Sequence, residues 1–236
     1  MNRVLSILFN TEMVRAILDG RKSCMRRICK DGNEYTVPDM NFYNADRRTY
    51  AVHNYADKKH TDKLSIAERS CPICLGDILY VRETWQYLYE LDGNEQIVED
   101  TGKYYYAATD TILFDTYVDE NGVKHDHAPW IPSIRMPKEA ARIWLKVTDV
   151  RVERLQEITP QQAENEGVGN LFYEDIGYSE KNYGTEVDKE YGIAREQFAW
   201  LWESTIKKSD LDRYGWNANP WVWVIEFERC EKPEGV

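Results

Sequence analysis

Apolar residues gather in short runs along this chain, and the spacing inside each run predicts an element. Arg3 to Phe9, RVLSILF, reads as a buried strand. Asn10 or Thr11 then offers a cap for a helix carrying Met13, Ile17 and Leu18 on one face, and Gly20 closes it. A second strand is expected over Lys22 to Ile28. In LGDILYVRETW, Ile78, Tyr80 and Arg82 alternate with Leu79, Val81 and Glu83, the two-residue period of a strand, with a hairpin turn expected at Asp92-Gly93. KYYYAAT gives a further strand. Ile143, Leu145, Val147, Val150 and Val152 predict a long, bent strand running to Leu155. Thr159-Pro160 with Gln162 starts a short helix that Gly167 ends. AREQFAWLWESTIKK sets Phe198, Leu201, Trp202 and Ile206 at helical spacing. PWVWVIEFERC alternates Trp221, Trp223, Ile225 and Phe227 against Val222, Val224, Glu226 and Glu228, a strand buried on at least one face.

No alternating β-α units appear in this order, so the pattern predicts an α+β fold. The expected form is a small, mostly antiparallel β-barrel with helices packed at its openings. Residues 31–70 show no clear period and read as a polar excursion. The expectation is one domain over residues 1–236 with polar insertions at about 31–70, 90–128 and 169–194.

Composition sharpens that outline. With 236 residues, 42% hydrophobic and 13% aromatic, the chain has enough apolar surface for a core without metals or disulfides. Five cysteines at irregular spacing suit a reducing compartment. No run reaches the roughly 20 apolar residues of a membrane helix, and MNRVLSILFNTEMV breaks too early for a signal peptide. A soluble, cytoplasmic protein without a membrane partner is expected. The net charge of −11 argues against indiscriminate nucleic-acid binding. That charge is unevenly placed. Glu90 to Glu120 holds nine acidic residues against one lysine, while Met136 to Arg154 holds five cations against three anions. Against this background LDGRKSCMRR collects Arg21, Lys22, Arg26 and Arg27.

LDGRK followed by RR, then GDILYVRETW, then the run from Trp130 through VTDVRVERLQEIT, and finally NPWVWVIEFE resemble the ASCH domain of the PUA-like superfamily, in its phage and prophage form. The resemblance implies a PUA-like barrel with a cleft facing the first helix and a role in recognising RNA or a modified nucleoside. If the chain is phage-encoded, its compartment is the host cytoplasm. Some small bacterial ASCH proteins hydrolyse N4-acetylcytidine with a lysine, a threonine and a glutamate. Placed on this chain, the lysine is Lys22 and the glutamate Glu166, whereas the threonine falls on Met25, which is neither nucleophile nor donor.

Each candidate has a functional and a plain structural meaning. Lys22 and Glu166 are a catalytic pair for an amidohydrolase or ribonuclease, or a salt bridge between strand and helix. Arg21, Arg26 and Arg27 contact phosphates, or balance the acidic segments; along a strand Lys22 and Arg26 share one face and Arg21 and Arg27 the other. Arg82, Glu83 and Trp85 stack on and read a base, or form an ion pair beside a core indole. Cys71-Pro-Ile-Cys74 has zinc-knuckle spacing that Cys24, Cys29 or His60 could complete, yet a second such pair is missing, so neither metal nor cofactor is expected. His125-Asp-His127 reads as a solvated loop. Three roles follow: RNA or modified-nucleoside binding, hydrolysis, or a phage interaction protein working through its acidic, tyrosine-rich segments.

Overall fold

A computed structural model describes residues 3–30, 32–90, 98, 100–111, 117–118, 124–125, 130–168 and 186–235. In chain order the strands and helices are β1 (Val4–Leu8), α1 (Thr11–Leu18), β2 (Cys24–Ile28), β3 (Thr36–Asn44), β4 (Thr49–Tyr55), β5 (Lys63–Ser70), β6 (Ile78–Arg82), β7 (Trp85–Leu88), β8 (Lys103–Tyr106), β9 (Tyr117–Val118), β10 (Lys124–His125), β11 (Trp144–Arg154), α2 (Pro160–Asn165), α3 (Glu186–Thr205), α4 (Leu211–Tyr214) and β12 (Trp221–Cys230). The fold is α+β, its sheets mostly antiparallel and its helices few. Among the described residues the strands do not close into a barrel. No helix among them is long and apolar enough to cross a membrane.

The chain divides into two compact units. The first comprises Met1–Asp19, Ile78–Leu145 and Arg229–Val236, and the second Gly20–Asp77 and Lys146–Glu228.

In the first unit β1 and β6 run parallel, in register from Val4 with Ile78 to Leu8 with Arg82. Leu79 and Val81 are buried, as their alternation requires. Asn10 caps α1 by accepting from the Met13 N–H at 2.8 Å, and Gly20 follows the helix at φ 76°, the left-handed conformation that glycine adopts without penalty. The buried stripe of α1 is Val14, Ala16 and Ile17 rather than Met13 and Leu18. β7 and β8 pair as an antiparallel ribbon, and Trp85 sinks beside Met136 and Ala140.

In the second unit β12 lies between β11 and β2 and pairs antiparallel with β2, with Val224 opposite Arg26 and Ile225 opposite Met25. Its Val222 to Ile225 are all buried, so this strand is covered on both faces. Phe198 and Trp202 of α3 join Leu155, Ile158, Val222 and Val224 in one core cluster. Residues 31–70 depart from their expected irregularity: β3, β4 and β5 form a three-stranded antiparallel meander. Only β4 buries a run, Tyr50 to His53, while β5 is exposed along most of its length. The ladder of backbone hydrogen bonds, not an apolar face, orders the outer strands. The Asp92-Gly93 turn and residues 169–185 of the third expected insertion lie outside the described residues, as do Asp126 and His127; His125 falls in β10.

Candidate functional site

In the second unit, the start of β2 meets the end of α2. Thr159 caps α2 by accepting from the Gln162 N–H at 3.2 Å, while the Gln162 side chain accepts from the Thr159 N–H at 2.9 Å. Pro160 begins the helix and Gly167, at φ 88°, lets the chain turn away after Glu166. Lys22 and Glu166 face each other as a single antiparallel bridge, and the Ser23 N–H donates to the Asn165 carbonyl at 2.9 Å. The short helix is thereby stitched to the strand that carries the cations.

The Lys22 side chain is 1% exposed, and its ammonium has an acceptor for every hydrogen. It donates to the Cys24 carbonyl at 2.8 Å, the Glu166 carbonyl at 2.7 Å and Glu166 Oε2 at 3.0 Å. A cation on the last carbonyls of α2 fills acceptors that the helix itself leaves open. Arg26, fully buried, reaches the other oxygen of the same carboxylate, Nη1 to Oε1 at 3.0 Å. Its Nη2 donates to Gln162 Oε1 at 3.2 Å and lies 3.5 Å from Glu153 Oε2. The guanidinium also sits 5.7 Å from the centre of the Phe198 ring. One atom is left over: Arg26 Nε is buried and has no hydrogen-bond partner among the described residues.

The network continues outward. Glu153 accepts from Arg151, which also pairs with Asp149 at 2.7 Å and Glu226 at 2.5 Å. Lys22, Arg26 and Arg151 thus stand against Glu166, Glu153, Asp149 and Glu226, so the anions outnumber the cations by one. Met25 is buried and packs opposite Ile225. Cys24 Sγ lies 3.9 Å from Arg26 Nη1, but burial, reinforced by the Glu166 carboxylate, pushes the thiol up to about 12.

Of the neighbouring cations, Arg21 is half-buried and donates to the Gly167 carbonyl at 3.3 Å. Arg27 is exposed. The structure therefore gathers Lys22, Arg26 and Glu166 into one cluster and leaves Arg27 on the surface. Gln162, Glu153 and Arg151 complete the cluster and were not singled out from the sequence. Gln162 carried a signal, its place in the helix cap, but a capping role gives no hint of a second acceptor duty towards Arg26.

Arg82, Glu83 and Trp85 belong to the first unit, where each has a structural task. Arg82 donates to the carbonyls of Met136, at 2.9 Å, and Ile134, fixing the turn between them. Glu83 is 1% exposed and takes both prongs of Arg142, each at 2.9 Å. The Arg142 guanidinium lies 3.9 Å from the centre of the Tyr106 ring. Trp85 is 9% exposed and tilts against Tyr104, which gives a core indole rather than an open stacking platform.

Cys71 and Cys74 are both buried, and Asp77, wholly buried, accepts from the Cys74 N–H at 2.9 Å and pairs with Arg48. No group of three metal-binding side chains forms among the described residues. Comparison of the chain with family models, with curated proteins and with solved structures yields no match.

Proposed function

We propose that this chain is a PUA-like domain of the ASCH kind that recognises a nucleoside or a base of RNA, with Lys22, Arg26, Glu166 and Gln162 as the polar wall of its site. The observation that carries this reading is the orphaned Arg26 Nε. A buried donor without an acceptor costs about 1–3 kcal/mol, and a carbonyl or ring nitrogen of a base supplies the missing acceptor. Glu166, each of its side-chain oxygens fixed at 3.0 Å by a cation, is a rigid partner for exocyclic amino groups. The half-buried Gln162, Glu153 and Arg151 are members of the cluster that reach solvent.

Such a site reads base edges rather than phosphates, because its cations are already neutralised by carboxylates. Binding should accordingly weaken little with salt, unlike phosphate-driven association. Hydrolysis of an acylated cytidine is the weaker reading. Met25 offers no nucleophile, and a thiol at about 12 leaves Cys24 on the order of 10⁻⁵ ionised at pH 7.

The test is calorimetric titration of the wild-type protein with a panel of unmodified and N4-modified nucleosides and short single-stranded RNAs. Arg26→Lys keeps the charge but removes the fork and its Nε, so binding should fall about tenfold while circular dichroism stays native. Absence of binding across the panel, or binding that Arg26→Lys leaves intact, rejects the reading.

A further inference from the structure

The second unit contains a cavity of about 550 Å³ lined by the turn at 32–35, the end of β11 and the segment 212–220. It shares no lining residue with the Lys22 cluster. We infer that this cavity is a second binding site, for a nucleoside phosphate. Its size falls within the range of roughly 300–1,000 Å³ typical of small-molecule sites and is far larger than a bare phosphate needs.

Cations and aromatic rings line it together. Arg154 lies 4.3 Å from the centre of the Trp221 ring and spends Nη1 on the Asn219 carbonyl at 3.1 Å. Its remaining N–H groups donate to nothing among the described residues, so a stacked, pre-oriented guanidinium keeps donors available. Arg213 is exposed, lies 4.9 Å from the centre of the Tyr214 ring and has no ion pair among the described residues. On the acidic side, Glu34 is engaged by Lys58 at 2.6 Å, Asp212 lines the cavity, and Glu157 stands near Arg154, accepting from its backbone N–H at 3.0 Å. In contrast to the cluster around Glu166, neither guanidinium of this cavity is held in an ion pair among the described residues, so both keep donors directed at an anion.

Tyr35, 45% exposed, and Tyr214 add planar faces on which a base can stack, and the Asn33 amide, its oxygen accepting from the Tyr35 N–H at 2.8 Å, adds an NH2 donor for its edge. The turn owes its position to Gly32: a Cβ there would meet the Trp221 side chain at 2.4 Å, so only glycine lets this segment lie against the indole that Arg154 covers. Guanidiniums alone would suit any anion, and rings alone any planar solute. Their combination in one cavity selects a ligand that carries both a phosphate and a base.

Calorimetric titration with the four 5′-ribonucleoside monophosphates, with inorganic phosphate and adenosine in parallel, tests the assignment. At least one monophosphate should bind more tightly than either fragment, and binding should weaken as NaCl rises from 50 to 200 mM. Arg213→Ala and Tyr35→Ala alter exposed side chains and should each weaken it about tenfold, whereas Lys63→Ala, at an exposed position outside both sites, should leave it unchanged. No binding by any monophosphate at millimolar concentration overturns the proposal. Binding no tighter than that of phosphate or adenosine, or binding indifferent to Arg213→Ala and Tyr35→Ala, overturns it equally. Because base-directed binding at the Glu166 cluster responds to Arg26→Lys and phosphate-dependent binding here responds to Arg213→Ala, failure here leaves the reading of the Glu166 cluster standing, and the reverse also holds.

Discussion

Glu166→Gln is the sharpest perturbation of the buried cluster, because it removes a charge while preserving shape. The wild-type carboxylate lies 3.0 Å from both Lys22 Nζ and Arg26 Nη1, and all three side chains are almost wholly buried. At an effective dielectric constant of about 20 and a charge separation of about 4 Å, each attraction is worth roughly 4 kcal/mol before desolvation is counted. Neutralising Glu166 leaves two buried cations near each other, with Glu153 at 3.5 Å as the nearer remaining carboxylate for Arg26. The expected net loss is about 3–5 kcal/mol, the usual cost of breaking a buried pair from one side. Urea unfolding followed by tryptophan fluorescence should show it as a midpoint lowered by roughly 1–1.7 M if the slope is about 3 kcal/mol per molar. Lys22→Met removes one of the two cations, so the double variant Lys22→Met/Glu166→Gln should cost less than the sum of the single changes. Half-molar NaCl should not shrink the Glu166→Gln effect, whereas Lys58→Ala, at an exposed pair with Glu34, should cause no measurable change in stability. A loss below about 1 kcal/mol for Glu166→Gln, or full additivity in the double variant, would refute a dry and mutually dependent cluster.

Three further outcomes are expected. Cys24 is raised from 9.0 in the unfolded chain to about 12 by burial, so its contribution is complete below pH 9 and is lost as pH climbs towards 12. The stability advantage of wild type over Cys24→Ala should therefore narrow across that window, and a pH-independent difference would contradict it. Gly167→Ala forces a side chain into φ 88° and should cost about 1–2 kcal/mol in urea unfolding; an unchanged midpoint would show that the turn after Glu166 is not constrained. Arg142→Lys exchanges a two-pronged grip on buried Glu83 for a single contact and loses the stack on Tyr106, so about 1.5–3 kcal/mol should be lost. A neutral result there would deny that pair a structural role.

The parts of the fold that the sequence revealed are those in which burial writes a period. β6 alternates around Leu79 and Val81, α1 and α2 carry capping residues at the right offsets, and β12 carries a run of large apolar side chains. The meander of β3 to β5 left no such trace. β5 is exposed on both faces, and β3 includes Pro38, Asp39 and Asn41, so its order comes from backbone pairing to β4, which composition does not record. The parallel pairing of β1 with β6 is likewise a matter of topology, since 69 residues separate Leu8 from Ile78 and nothing local to either announces the partner. At the site, strand parity was enough to put Lys22 and Arg26 on one face and Arg27 elsewhere. The partner across 144 residues, Glu166, was supplied by the ASCH resemblance and not by parity, and neither conveyed the degree to which the cations would be consumed by it.

That consumption bears directly on ligand choice. A row of four cations in an acidic chain suggests a polyanion when charge is counted along the sequence, yet in space Lys22 and Arg26 answer to Glu166 and Glu153, and Arg151 draws in Asp149 and Glu226 besides. A phosphate entering this cluster would have to displace a carboxylate already held at 3.0 Å by two donors, which exchanges one anion for another and gains nothing from neutralisation. A neutral ligand faces no such competition, since it needs only to complement the hydrogen-bonding groups that the ion pairs hold in place, Arg26 Nε among them. The same reasoning favours Arg154 and Arg213 for the proposed phosphate contact, since among the described residues neither guanidinium is held in an ion pair as Lys22 and Arg26 are. The two proposed sites thus differ by one rule: a paired charge fixes geometry, and an unpaired charge attracts.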